Sequence, residues 1–173
     1  LPKLSYKNIL DIGTGSGCII ISIIKERENC KATAIDKSLK ALKVAKLNAE
    51  MHQVKKKIKF LNIDVDKYFA NKYDIIVSNP PYIKDCEILS LDKGVKLNEP
   101  KLALSGGKSG LNKVFKVIKK SQKLLKTKGK LILEIGDKQS KEVKKYLIKN
   151  NFNQIKILKD LSGKNRCVVS TKS

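Results

Sequence analysis

The chain has 173 residues, a length typical of one globular domain that buries roughly 70% of its unfolded surface without disulfide or metal support. Its longest apolar run, residues 18–21, is far shorter than the roughly 20 residues that a membrane span requires. Lysine and arginine total 38 against 16 acidic residues, a net charge of +22. These numbers exclude a transmembrane helix and raise nucleic-acid binding as a first hypothesis.

The distribution of the charge favours a plainer origin. Arg27 and Arg166 are the only arginines, and apart from the run at 55–57 the lysines are scattered along the chain. Proteins that bind phosphate groups through paired hydrogen bonds favour arginine over lysine. Scattered lysines together with abundant isoleucine and asparagine are typical of proteins from an AT-rich genome. Direct nucleic-acid binding is therefore disfavoured, and no membrane partner is expected.

The remaining composition indicates a cytoplasmic protein without a metal site. The four cysteines are too far apart for a CxxC pair, and His52 is the only histidine. This spacing fits no zinc site, and scattered thiols are typical of a reducing cytosol. Residues 1–5 contain neither the apolar segment of a signal peptide nor an initiator methionine, so we expect a domain of a longer protein.

Strand-like and helix-like segments alternate along the chain. The predicted strands cover residues 8–12, 31–35, 58–63, 73–78, 130–135, 154–159 and 167–171. The predicted helices cover residues 17–29, 39–49 after the N-cap Ser38, 109–125 and 138–150. Residues 82–108 form the longest irregular stretch, and this length is typical of a functional or mobile loop.

This order of elements predicts an α/β domain. Strands interleaved with helices form parallel sheets that are covered on both faces and that bind ligands at the carboxyl ends of their strands. The last two strands are joined by a short loop that cannot hold a parallel crossover, so they must form an antiparallel hairpin. We therefore expect a single domain with five parallel strands and a C-terminal hairpin.

A glycine-rich loop, residues 13–17, joins the first strand to its helix. Glycines permit positive φ and leave room for a ligand against the backbone, and amides at a helix start face an electronegative partner. The GxGxG spacing lacks the marks of a dinucleotide site or a P-loop. Asp36, at the end of the second strand, is placed to accept two ribose hydroxyls. Together with Asp11 and with Asp64 near the adenine edge, the loop indicates an adenosine ligand without a pyrophosphate.

The turn Asn79-Pro80-Pro81-Tyr82 follows the fourth strand, beside the same crevice. Two prolines fix φ and remove two donors, so the exposed groups of a stiff turn are acceptors. The Asn79 side-chain oxygen and the Pro80 carbonyl can both accept from one amino group, while Tyr82 offers a face for stacking on an amide or a base. This geometry suits a conjugated, weakly nucleophilic nitrogen that must be held in line with an electrophile.

With these motifs the chain resembles the methyltransferases that act on amino groups and use S-adenosylmethionine. Further segments are Asn98-Glu99-Pro100-Lys101-Leu102-Ala103-Leu104, Gly106-Gly107-x-x-Gly110-Leu111, Glu134-Ile135-Gly136 with Gln139, and Lys159-Asp160-Leu161-x-Gly163-x-x-Arg166. With these segments the chain resembles one branch of those enzymes, the HemK/PrmC family, which methylates the glutamine side-chain amide (N5) in the Gly-Gly-Gln motif of peptide chain release factors.

The resemblance implies a Rossmann-like class I S-adenosylmethionine-dependent methyltransferase fold, with a seven-stranded, mostly parallel sheet. It implies that Asn79, Pro80, Pro81 and Tyr82 hold the glutamine amide. It also implies that the cofactor is bound by Gly13, Thr14, Gly15, Ser16, Gly17, Asp36, Asp64, Val65 and Asn79. The family commonly has an aromatic residue at the position of Val65, and its N-terminal helical domain, which grips the release factor, has no counterpart in residues 1–173.

Two alternatives remain open at this stage. A methyltransferase acting on adenine N6 or on ribosomal guanine N2 would use the same turn, and the charge of +22 favours it. A cofactor-binding remnant without activity is the other. If the substrate is a release factor, the lysine-rich surface is expected to aid encounter with an acidic partner, free or on the ribosome, in a salt-dependent way.

Overall fold

The computed structural model describes residues 7–27, 29–70, 72–90 and 104–173. The strands within them are β1 (Lys7–Ile12), β2 (Cys30–Asp36), β3 (Ile58–Asn62), β4 (Tyr73–Ser78), β5 (Leu125–Glu134), β6 (Phe152–Lys159) and β7 (Asn165–Lys172). The helices are α1 (Cys18–Glu26), α2 (Leu39–Met51), α3 (Asp85–Ile88), α4 (Asn112–Leu124) and α5 (Ser140–Lys149). None of these helices combines the length and the apolar character needed to cross a bilayer.

The seven strands form one sheet in the order β3-β2-β1-β4-β5-β7-β6. Strands β1 to β5 pair in parallel, whereas β7 is antiparallel to both β5 and β6. Strands β1 and β4 are almost wholly buried, as expected for central strands that helices cover on both faces. The predicted mixed sheet with its C-terminal hairpin is confirmed.

Two hydrophobic clusters lie on opposite faces of the sheet. Alternate residues of one strand point to opposite faces, so Ile9 packs with α1 while Leu10 packs with α4 and α5. Ser38 caps α2 as predicted, because its side-chain oxygen accepts from the Ala41 amide at 3.2 Å. This packing fixes the carboxyl ends of the strands, where the candidate site lies.

Several predicted boundaries were wrong. Helix α1 ends at Glu26 rather than Asn29, because Arg27 is already extended. Strand β5 begins at Leu125 rather than at residue 130. This fully buried leucine pairs with Tyr73 of β4, and a bulge separates that pair from the rest of the ladder. The predicted irregular stretch contains the short helix α3. Residues 91–103 lie outside the described residues, and with them all of the segment 98–104 except Leu104.

Candidate active site

Three strand ends meet at one level of the sheet. Ile12 of β1 pairs with Ile35 of β2 on one side and with Ser78 of β4 on the other. The next residue along each strand is Gly13, Asp36 or Asn79. The structure therefore places the glycine loop, the β2 carboxylate and the Asn79–Tyr82 turn side by side at the carboxyl edge, where open α/β sheets bind ligands.

The glycines of the loop have two different roles. Gly13 and Gly15 have φ of +71° and +57°, and a Cβ added to either would meet nothing within 4 Å. Gly17 has φ of +82°, but its Cβ would lie 2.9 Å from Ile21 Cδ1 and 3.2 Å from Ala45 Cβ. The first two glycines thus leave open space beside the backbone, whereas the third lets α1 pack against α2.

Four amides of this loop are hydrogen-bonded within the protein. Those of Gly13 and Thr14 donate to the Ile35 carbonyl at 2.9 and 3.1 Å, and that of Gly17 donates to the Thr14 carbonyl at 2.9 Å. The Gly15 amide donates to Asp36 at 2.9 Å. These bonds satisfy the backbone inside the protein, so the loop offers a ligand open space rather than these four donors.

Two carboxylates flank the loop in contrasting environments. Asp36 is half-buried, and its two oxygens accept from the amides of Gly15 and Ser38 at 2.9 and 2.8 Å. Asp11 is buried, and its Oδ2 accepts from the Thr14 hydroxyl at 2.7 Å while its Oδ1 has no partner. The pKa of Asp11 is raised to about 7, chiefly because the group is buried. The hydrogen bond from Thr14 lowers this pKa, whereas the nearby charge of Asp36 raises it.

Asp64 lies two residues beyond β3 and caps a short 3-10 turn, residues 65–67. Its Oδ1 accepts from the Asp66 amide at 2.9 Å and from Lys116 Nζ at 3.3 Å. The Asp66 amide, together with the Lys116 ammonium, holds the pKa of Asp64 below its usual value, although partial burial acts in the opposite direction. Val65 is half-buried against the core. Asp64 is therefore an ionised acceptor at the crevice, and Lys116 of α4 is a neighbour that sequence reasoning missed.

The Asn79–Tyr82 turn directly follows the buried carboxyl end of β4. The Ser78 hydroxyl donates to the Ile12 carbonyl at 2.7 Å, which ties this end to β1. Asn79 is exposed, whereas Pro80 is buried and Pro81 is half-buried. The prolines thus anchor the turn against the protein and leave the Asn79 side chain accessible to a substrate.

Tyr82 closes the turn and is held by residues from the far end of the chain. Its hydroxyl donates to Glu134 at 3.2 Å and accepts from Arg166 Nη1 at 3.1 Å. The Arg166 guanidinium lies 5.8 Å from the centre of the tyrosine ring and also bonds Asp160 at 3.1 Å. Tyr82, the residue predicted to stack on the substrate, is therefore held in position, and the planar Arg166 guanidinium lies beside its ring.

Sequence reasoning noted Glu134, Gln139 and Arg166 as parts of family segments but assigned them no role in the site. The structure brings all three onto Tyr82, from 52, 57 and 84 residues away. Their only sequence signal is that they fall in the short segments that carry the resemblance, because nothing local to each residue indicates the contact.

Comparison with known proteins supplies an independent line of information. A release factor glutamine methyltransferase from Thermodesulfovibrio yellowstonii is 40% identical over 166 residues, covering 95% of this chain and 59% of that protein. One from Fusobacterium nucleatum is 39% identical over 177 residues, covering 100% of this chain and 49% of that protein. The chain thus spans less than two thirds of the length of either relative.

The fold and a family model agree with this similarity. The crystal structure of a methyltransferase from Pyrococcus furiosus superimposes with a TM-score of 0.73 at 21% identity, covering 98% of this chain and 76% of that one. At this identity the likeness concerns the fold alone. The family model of the methyltransferase small domain matches residues 1–91, more than half of the 173 residues, so the chain belongs to the family of methyltransferase small domains.

Proposed function

We propose that this chain transfers a methyl group from S-adenosylmethionine to the side-chain amide of the glutamine in the Gly-Gly-Gln motif of a peptide chain release factor. The observation that carries the proposal is the exposed Asn79 on a proline-anchored turn, directly beside a glycine loop with open space. The names of the relatives at 40% and 39% identity support the choice of a release factor as the substrate.

The residues around the loop fit an adenosine-based cation. Gly13 and Gly15 leave space that a Cβ would fill, and Asp36 retains lone pairs that can accept ribose hydroxyls. The buried Asp11 Oδ1, which lacks a partner, is an acceptor for a positively charged group. Asp64 and Val65 would flank the adenine. When bound, the cofactor supplies an electrophilic methyl group on a positively charged sulfur.

The turn supplies what a weak nucleophile needs. The Asn79 side-chain oxygen and the Pro80 carbonyl accept from the two N–H bonds of the substrate amide, which holds its nitrogen in line and draws electron density onto it. Tyr82 packs against the planar amide. The amide proton would pass to water beside these two acceptor oxygens, so no general acid or base is required of the chain.

The rest of the chain is compatible with a protein substrate in the cytoplasm. Cys18, Cys30, Cys86 and Cys167 are all free thiols, as expected in a reducing compartment. The many exposed lysines would favour encounter with an acidic release factor, including one on the ribosome, and this attraction weakens as salt screens it.

A competition assay tests the substrate. The protein is incubated with methyl-labelled S-adenosylmethionine and equal amounts of a release factor and ribosomal RNA. We expect label in the release factor, with a release factor whose Gly-Gly-Gln glutamine is replaced as the matched control. Label confined to the RNA would replace the proposal with nucleic-acid methylation.

A further inference from the structure

The side chain of Gln139 joins three separate backbone segments. Its Nε2 donates to the Tyr82 carbonyl at 2.9 Å and to the Gly110 carbonyl at 3.1 Å, while its Oε1 accepts from the Gly136 amide at 2.9 Å. Three of the four hydrogen bonds that a glutamine amide can make are therefore used within the protein. A half-buried side chain with this many backbone partners is fixed in position.

The neighbouring glycines make this arrangement possible. Gly110 has φ of +73°, and a Cβ on it would lie 2.5 Å from the Tyr82 carbonyl oxygen and 2.9 Å from Gln139 Nε2. A Cβ on Gly136 would lie 3.2 Å from the Gln139 amide and 3.3 Å from the Tyr82 ring. A side chain at Gly110 would collide with the Tyr82 carbonyl that Gln139 binds, so this close approach of the two backbones requires glycine at position 110.

We propose that Gln139 is a positioning residue for methyl transfer, whose Nε2 fixes the end of the Asn79–Tyr82 turn so that its acceptor oxygens stay aligned. The inference rests on the proposed function and deepens it. The prolines fix φ at two positions but do not hold the peptide after Tyr82, whose amide donates to the Leu104 carbonyl over 3.3 Å. The 2.9 Å bond from Gln139 to the Tyr82 carbonyl is a second and shorter restraint on that peptide. A misplacement of about 1 Å is enough to cost roughly 100-fold in rate.

The oxygen and the nitrogen of the Gln139 amide contact different segments, so a variant that changes only the nitrogen distinguishes a positioning role from a purely structural one. Oε1 caps the short turn at residues 137–139 through Gly136, whereas Nε2 alone reaches Tyr82. Gln139→Glu keeps an acceptor for Gly136 but places a carboxylate oxygen against two carbonyl oxygens. If that glutamate is protonated, it can donate again to one of them.

The test is therefore the pH profile of Gln139→Glu. At about pH 8.5 we expect turnover roughly 30-fold below that of the unmodified protein, with cofactor affinity changed less than about 2-fold. The ratio of variant to unmodified turnover should rise at least about 5-fold as the pH falls to about 5, where a glutamate of ordinary pKa, about 4.3, is already partly protonated and its carboxyl group donates to the Tyr82 carbonyl. The two facing carbonyl oxygens disfavour the carboxylate and so move this rise to higher pH. Gln53→Glu, at an exposed position, is the charge-matched control and should stay near a ratio of one at every pH.

A second readout does not depend on activity. Amide hydrogen exchange of peptides 82–90 and 104–112 should be faster in Gln139→Glu than in the unmodified protein at high pH, and the difference should shrink at low pH. Failure of the unmodified protein to methylate a release factor overturns the proposed substrate, while exchange still decides whether Gln139 fixes the turn. Equal exchange in both proteins, or a turnover ratio near one at all pH values, overturns the positioning role.

Discussion

The glycine loop and the Asn79–Tyr82 turn lie side by side, but the chain holds them by different means. The loop depends on near neighbours: Thr14 donates to Asp11 three residues away, and Gly15 donates to Asp36, 21 residues away. Both partners belong to the first two strands. The glycine loop is thus held by a short stretch of chain, residues 11–36, that includes the ends of the first two strands.

The turn depends instead on the other end of the chain. Tyr82 is bonded to Glu134, Gln139 and Arg166, which are 52, 57 and 84 residues away. We therefore expect cofactor binding and substrate alignment to be separable. Substitutions of the distant residues that contact the turn should reduce turnover without weakening cofactor binding. Substitutions in the glycine loop should instead act through a weaker cofactor affinity.

The largest expected effect is on the turn itself. Asn79→Ala removes a substrate acceptor, so we expect turnover to fall about 100-fold or more, as when one aligned hydrogen-bonding group is removed from an active site. Calorimetry should give a cofactor affinity within a few-fold of the unmodified protein, since eight of the nine residues expected to bind the cofactor are unchanged. Asn153→Ala, on the exposed edge strand β6, is the matched control. Near-normal turnover of Asn79→Ala would remove the residue from the mechanism.

The second effect concerns the buried carboxyl group of the loop. The pKa of Asp11 is raised to about 7, so between about pH 4 and pH 7 the folded state binds a proton that the unfolded state has lost. Its contribution to stability therefore falls as pH rises through this window. The free energy of unfolding, measured in urea for unmodified protein and Asp11→Asn, should show a difference that shifts by roughly 2 kcal/mol between about pH 5 and pH 8. A constant difference would contradict the raised pKa.

A third prediction compares two glycines with the same backbone strain. Gly15 and Gly163 have φ of +57° and +77°, and a Cβ on either would meet nothing within 4 Å. Substitution by alanine should therefore cost each roughly 1 kcal/mol of stability. Only Gly15→Ala should also weaken cofactor affinity, by about 10-fold, because its Cβ enters the open space of the loop. Equal cofactor affinities would argue against the loop as the binding site.

The smallest effect is expected at Arg166. Arg166→Lys keeps the charge but cannot bond Asp160 and the Tyr82 hydroxyl together, since lysine lacks the planar fork of arginine. We expect turnover to fall about 5-fold, the loss of one hydrogen bond, with cofactor affinity unchanged. Arg27→Lys, the substitution of the other arginine, is the control. A loss of cofactor binding in Arg166→Lys would contradict the separation of the two halves.

The contrast between a loop held by near neighbours and a turn held by distant residues also explains which features could be predicted from the sequence. The sheet, its hairpin and the placement of the glycine loop follow from local patterns, namely buried runs that end at glycine, aspartate or proline. The bulge that lengthens β5 does not, because it depends on burial of Leu125 against β4. The contacts of Gln139 and Arg166 with the turn were also beyond local patterns, since they exist only after the C-terminal half has packed. The roles of the individual site residues stay predictions.

Methylation of one glutamine amide of a release factor can be observed by mass spectrometry of the digested release factor after incubation with the protein and S-adenosylmethionine. We expect one added methyl group on the side chain of the glutamine in the Gly-Gly-Gln peptide, absent when Asn79→Ala replaces the unmodified protein. An unmodified Gly-Gly-Gln peptide, or a methyl group on another residue, would contradict it.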